Sequence, residues 1–325
     1  MAQAPFTSTA WAFGGLAAAF LGVVAYGVWL EDFQRTFLAE ILVWGVFALS
    51  VSLVFGVGGM LSFAQALYFG AGCWGYNLAV FGYGLTGWAP VAAGVAAALA
   101  FAAPTGFVAT RVRQHHTLIV TVILSVLVST VLASGHWRWI AGPYVTRSLP
   151  EAPALPLGAA TIDYADEMSA FLATTALVFA ACLLALLLIR SPFGLAMKAV
   201  RENEAKAALL GYDVRLLRWL MFVASAGFAG FAGVLYLMLS RYSNLEFFDW
   251  TYSARAMVMA ALGGLGTLVG PFVGAAVYYL AAEHLSRFFE QFMILVGVLL
   301  LVLVRFMPEG LWGGAVRMIR NRALR

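Results

Sequence analysis

Charge is what this sequence has least of. Only 10% of its 325 residues are Asp, Glu, Lys or Arg, whereas 63% are hydrophobic and the mean hydropathy is +0.91. A water-soluble domain carries charge on about a quarter of its residues, so this chain cannot coat a solvent-facing surface and reads as an integral membrane protein. Cysteine is nearly absent too. Cys73 and Cys182 sit in apolar stretches with no CxxC pair and no histidine cluster, which excludes a disulfide framework or a metal site. No GxxxxGK[ST] stretch occurs, so the chain has no Walker A loop with which to hydrolyse ATP. Paired carboxylates and a nucleophile–histidine pair are also missing, and neither enzyme activity nor a cofactor on this chain is expected. The net charge of +4 is small, and the basic residues gather in loops and toward the tail. That distribution fits membrane orientation and excludes a nucleic-acid footprint. Met1 to Phe6 hold no Lys or Arg before the apolar run Trp11–Leu30, so this run is expected to be the first membrane helix and not a cleaved signal.

Hydropathy marks about eight full spans, at 11–30, 36–55, 66–82, 87–109, 117–134, 169–189, 216–240 and 288–306. Three segments are basic: Arg111 to His116, residues 190–218, and the tail 307–325 with Arg317, Arg320, Arg322 and Arg325. The positive-inside rule places all three in the cytoplasm. Loop 135–168, with Glu151, Asp163, Asp166 and Glu167, is expected outside. Counting crossings then puts both termini inside, in a single transmembrane domain over 1–325. The apolar stretch 253–283 must contribute an even number of crossings. Its halves, 253–263 and 271–283, are each too short to cross about 30 Å at about 1.5 Å per residue. They are expected to enter and turn back, or to form two strongly tilted short helices, giving 8–10 helices in all.

Glycine breaks both halves of the chain. Gly56, Gly58 and Gly59 precede Leu61-Ser62-Phe63-Ala64-Gln65, and Gly263, Gly264, Gly266, Gly270 and Pro271 interrupt 253–283. The helix before the first break runs inward and the helix before the second runs outward. Paired breaks of this kind mark an inverted repeat around a midplane pathway. Irregular backbone at that depth must be buried in protein or line a wet cavity. Ser62, Gln65, Asn77 and Thr267, with Gly263, Gly264 and Gly266, are the candidate pathway residues. The hydroxyls of Ser62 and Thr267 can alternatively bond a carbonyl of their own helix. Arg241, Glu246, Asp249 and Arg255 flank the outer end of 253–283, either as a seat for a binding protein or as a solvated rim.

The most charged stretch, 190–215, lies between two spans. Strong helix formers from Leu195 to Leu210 predict one cytosolic helix stopped by Gly211, with Glu202 and Lys206 supporting it at i, i+4. Such a helix is suited either to dock in a groove on a partner or to lie at the headgroups.

Motifs in order along the chain carry a resemblance. Ala199-Val200-Arg201-Glu202-Asn203-Glu204-Ala205-x-Ala207-Ala208-x-x-Gly211 resembles the coupling-helix segment of LivM-type permeases of branched-chain amino-acid ABC importers. Gly56-x-x-Gly59-x-Leu61-Ser62-Phe63-Ala64-Gln65-Ala66-x-Tyr68-x-Gly70-Ala71-Gly72 resembles their first glycine signature. Ala261-Leu262-Gly263-Gly264-Leu265-Gly266-Thr267-Leu268-x-Gly270-Pro271 resembles the second, and Met307-Pro308-x-Gly310-Leu311-Trp312-Gly313 their ending. The resemblance implies an all-α polytopic permease of the type II-like importer class in a bacterial inner membrane. Its implied partners are a second related permease, two cytoplasmic ATPases that carry the ATP, an extracytoplasmic binding protein and the surrounding lipid. It also implies that Arg201, Glu202, Glu204, Ala205, Ala208 and Gly211 form the ATPase-coupling surface.

Two departures bear on cargo. Gln65 stands where family members commonly carry His, which keeps a polar role and removes a titrating one. Trp137 to Tyr144 matches only part of the family's outer Thr-Gly-Gly stretch. Urea, short amides or aromatic acids are rival cargoes, because permeases related to the resembled family carry those too. An ion-coupled secondary transporter is the rival class, and it would need intramembrane carboxylates, of which Glu40 is almost the only example. The cytosolic helix weighs against a passive channel.

Overall fold

The computed structural model describes residues 9–112, 114–134, 145–149, 151–157, 160–285, 297 and 310–323. The expected span 288–306 apart from residue 297, residues Met307 to Glu309 of the ending and the Trp137–Tyr144 stretch lie outside them.

The described chain is overwhelmingly helical. In order it forms α1 (Thr9–Val28), α2 (Asp32–Val51), α3 (Gln65–Asn77), α4 (Trp88–Ala109), α5 (Gln114–Ala133), α6 (Glu167–Arg190), α7 (Pro192–Glu202), α8 (Glu204–Leu209), α9 (Val214–Ser240), α10 (Trp250–Gly263), α11 (Gly270–Leu285) and α12 (Gly310–Ala323). Helix α2 continues as a π-helical stretch, Ser52–Val57, and α3 does the same over Leu78–Gly82. The spans expected at 36–55, 87–109, 117–134, 169–189 and 216–240 all fall on helices long and apolar enough to cross a membrane. The chain is a multi-pass membrane protein.

Polar side chains set the helix starts. Asp166, Ser191, Asn203, Asp213 and Asp249 each accept a backbone N–H of the first turn that follows. One of these caps corrects the expectation of a single helix over Leu195–Leu210. Asn203 adopts extended backbone (φ −158°, ψ 100°) and accepts from Lys206 N at 2.9 Å, which ends α7 and starts α8. The i, i+4 support expected between Glu202 and Lys206 is lost with the continuous helix, and no ion pair joins them among the described residues.

Helix α3 is the core, buried along nearly its whole length between α4 and α9. Small residues permit that approach: a side chain at Gly72 would overlap the Gly230 carbonyl, and one at Gly233 would overlap the Phe69 carbonyl. Lipid offers no hydrophobic drive between helices, so close packing of this kind holds them. Helices α10 and α11 lie against each other and against α2, touching at their broken ends, where a side chain at Gly263 would overlap the Gly270 carbonyl. Residues 253–283 thus form a tight helical hairpin with its turn at 264–269.

The two ends of the bundle differ in character. At one end, β1 (Arg147–Ser148) pairs antiparallel with β4 (Tyr242–Ser243), β2 (Ala154–Leu157) pairs with β3 (Ala160–Asp163), and Trp88 donates to Pro156 O at 2.8 Å. At the other lie α7 and α8.

Candidate functional site

The two glycine breaks, far apart in sequence, meet in space. Any side chain at Gly56 would overlap the backbone nitrogen of Gly266, whose own φ of +78° is open to glycine at little cost. Ser52 locks the junction: its hydroxyl accepts from Gly266 N at 3.0 Å and donates to Thr267 O at 3.3 Å. Thr267 closes the turn, donating to Gly264 O at 2.8 Å and accepting from Gly270 N at 3.0 Å. Gly310, at the start of α12, packs on Gly264. Gly263, Gly264, Gly266 and Thr267 therefore form one backbone-to-backbone knot with Gly56.

The polar segment is tied to this knot. Arg201, near the end of α7, donates through Nη1 to the carbonyl of Gly56. Glu204, the first residue of α8, receives both terminal nitrogens of Arg218 on α9, at 2.9 and 2.8 Å. This bidentate pair fits the fork of a guanidinium to a carboxylate. Arg218 is 9% exposed, so its charge depends on that partner. Glu202, Ala205 and Ala208 stay exposed, as do Leu209 (88%) and Leu210 (76%). Gly211 ends the segment at φ +89°, a left-handed stop that α8 needs and that other residues adopt at a cost.

Between Gly58 and Gln65 the chain has no helical hydrogen-bond ladder, and side-chain hydroxyls replace it. Thr121 on α5 accepts from Phe63 N at 3.1 Å, and Ser62 accepts from Ala64 N at 3.2 Å. Phe63 O accepts from Ser125 at 3.2 Å and from Ser253 at 2.7 Å, and Ser253 also accepts from Ala66 N at 2.7 Å. These bonds satisfy backbone that lipid could not. Ser62 thus has a local partner, as its hydroxyl allows. Gln65 is fully buried and donates to Ser225 at 3.2 Å, while its amide oxygen has no partner among the described residues. Asn77 lies apart from this group, twelve residues along α3, where it donates to Ser243 at 2.7 Å.

Sequence reading missed Asn203, Arg218, Thr121, Ser125, Ser225 and Ser253. Hydroxyls in apolar helices commonly bond their own helix, so nothing local marks those that reach across. Arg218 carried a signal, since a cation at the fifth position of a membrane helix needs an acidic partner close by. Ser253→Ala leaves Ala66 N unpaired and strips one of two donors from Phe63 O. It is expected to destabilise the protein by about 1–3 kcal/mol, lowering the melting temperature of the detergent-solubilised chain. An unchanged melting temperature would contradict the role given to this hydroxyl.

The chain matches the family model described as the permease component of the branched-chain amino acid transport system, over residues 35–304. It is 27% identical over 291 residues to the high-affinity branched-chain amino acid transport system permease protein LivM of Escherichia coli (strain K12), covering 83% of this chain and 68% of that one. It is also 27% identical over 286 residues to the corresponding LivH protein of the same organism, covering 83% and 91% of the two chains. A probable LivM of Methanocaldococcus jannaschii is 30% identical over 141 residues, 38% of this chain and 40% of that one. No solved structure matches. With a family match that runs from α2 past both glycine breaks and the polar segment between them, this chain belongs to the family of branched-chain amino acid transport permease components.

Proposed function

We propose that the chain forms part of the pore of an ATP-driven importer for branched-chain or related small amino acids. A second, related permease, two cytoplasmic ATPases and an extracytoplasmic binding protein complete the assembly. The similarity to both LivM and LivH supports the pairing of two permeases. ATP is bound and hydrolysed on the ATPases, and this chain is itself neither an enzyme nor a cofactor carrier. The setting is a bacterial inner membrane, with α7, α8 and both termini in the cytoplasm. The polar segment and basic tail support that orientation.

One observation carries the mechanism. Segment α7–α8 exposes Ala205, Ala208, Leu209 and Leu210 away from the bundle, yet is fastened to it by Glu204–Arg218 and Arg201–Gly56. Exposed leucines on a short polar helix suit a groove on a partner. When the ATPases close, the segment moves, α9 follows through Arg218, and the glycine knot follows through Arg201. Packed glycine backbones have discrete arrangements and do not deform continuously, so the push switches the pathway between outward and inward openings. Gln65, buried beside Ser225 with an unsatisfied amide oxygen, is the pathway residue positioned to change partners in that switch.

Reconstitution with the partner subunits tests this. Leucine should accumulate in proteoliposomes only with ATP on the ATPase side and binding protein on the other, and urea should not compete. Accumulation without ATP would overturn the reading, and preferential uptake of urea would overturn the cargo.

A further inference from the structure

A cleft of about 630 Å³ opens between the end of α5 and the start of α10. Most of the residues that line it are polar, and they carry both signs of charge. Ser129 and Thr130 come from α5, Glu246 from the turn before α10, and Thr251, Tyr252 and Arg255 from α10. Its volume falls in the range of small-molecule sites.

The charges here are not spent on each other. Arg255 forms no ion pair among the described residues, and its guanidinium lies over the Tyr252 ring at 4.7 Å. Asp249 is committed to capping α10, accepting from Thr251 N at 2.8 Å. Glu246 is exposed and forms no ion pair among the described residues. Among the described residues the cleft therefore offers one half-buried cation without a counter-ion, one available carboxylate, and apolar surface from Tyr252, Leu245 and Ala133. The part common to all α-amino acids is a carboxylate beside an ammonium, and the variable part of the branched ones is apolar.

Position adds a second argument. Ser125 lies one helical turn before the cleft residue Ser129, on the same face of α5, and its hydroxyl bonds Phe63 O in the extended stretch that leads to Gln65. The Phe63 ring meets Trp250 edge-on, with centroids 6.1 Å apart. The cleft thus adjoins the non-helical backbone at the head of α3.

We infer that this cleft is a zwitterion-reading site on the permease itself, in which Arg255 takes the carboxylate and Glu246 the ammonium of an aliphatic amino acid. The inference rests on the proposed function for its cargo class. It makes the permease a selective participant and not a passive conduit.

Scintillation-proximity binding of radiolabelled leucine to the purified permease–ATPase complex, without binding protein, tests it. Wild-type complex should bind leucine. Arg255→Gln and Glu246→Gln should each weaken binding at least about tenfold, the loss expected for one charge-assisted hydrogen bond. Arg255→Lys, which keeps the cation, should recover part of it. Leucinamide, lacking the carboxylate, should bind Arg255→Gln and wild type alike. Co-elution of the ATPases with each variant shows that it has assembled. No leucine binding by wild type, or binding by both variants as tight as that of wild type, would overturn the inference. So would a variant that binds leucine normally and fails only to engage the binding protein, since the cleft would then be a docking seat. ATP-driven leucine uptake by wild type, measured in parallel, separates these outcomes from failure of the importer reading itself.

Discussion

Glu204→Lys should reduce ATP-driven uptake at least about tenfold while the chain still reaches the membrane. Among the described residues the carboxylate is the only group that neutralises Arg218, and the Arg218 Nε is buried there without a partner. Removing one member of a fully buried pair costs about 3–5 kcal/mol, and an exposed pair is worth about 0–1. Arg218 is 11% exposed in its side chain and Glu204 51%, so the pair falls between these limits. That cost is small against the burial of a helix bundle, so the bundle persists. The local loss falls on the joint between α8 and α9, and ATP hydrolysis by the assembled complex should no longer respond to the binding protein. The reciprocal variant Glu204→Lys with Arg218→Glu reverses the pair and should restore part of the coupling. If the single variant transports at the wild-type rate, this pair transmits nothing.

The second large effect is expected at the knot. A valine at Gly56 would place its Cβ on the backbone of Gly266, and backbone cannot swing aside as a flexible side chain does. Overpacking of this kind costs about 1–3 kcal/mol where side chains can yield, and more where they cannot. The Gly56 carbonyl that Arg201 holds would be displaced with it. Gly56→Val should therefore abolish uptake, and membrane-inserted chain should fall. Gly22→Ala is the control, because nothing lies within 4 Å of the added methyl on α1. Wild-type uptake by Gly56→Val would mean that the breaks do not touch in the working protein.

Much of the fold was legible because lipid restricts what backbone can do. Uninterrupted apolar runs of spanning length could only be helices, and α2, α4, α5, α6 and α9 appear where hydropathy put them. The break in 253–283 was legible from its glycines, since two short halves could not each span. That the two breaks touch was not legible, because contact between Gly56 and Gly266 depends on packing of helices far apart in sequence. The interruption at Asn203 was visible in principle: Asn is a strong N-cap, and the run Glu202-Asn203-Glu204 offered one. Continuous helix propensity on both sides hid it. The hydroxyls of Thr121, Ser125 and Ser253 could not be singled out, because each acts on Phe63 or Ala66 from another helix. Glu204 was chosen for its motif; its bond to Arg218 is a property of the folded chain alone.

The account stands on α7–α8 being the surface that a nucleotide-driven subunit grips. A photo-crosslinking amino acid at Leu209, which projects from α8 and touches little of this chain, reads that contact directly in the assembled complex. Irradiation in native membranes should join this chain to the ATPase subunit, with a yield that changes on adding ATP. Adducts only to lipid, or to a protein on the opposite side of the membrane, would contradict it.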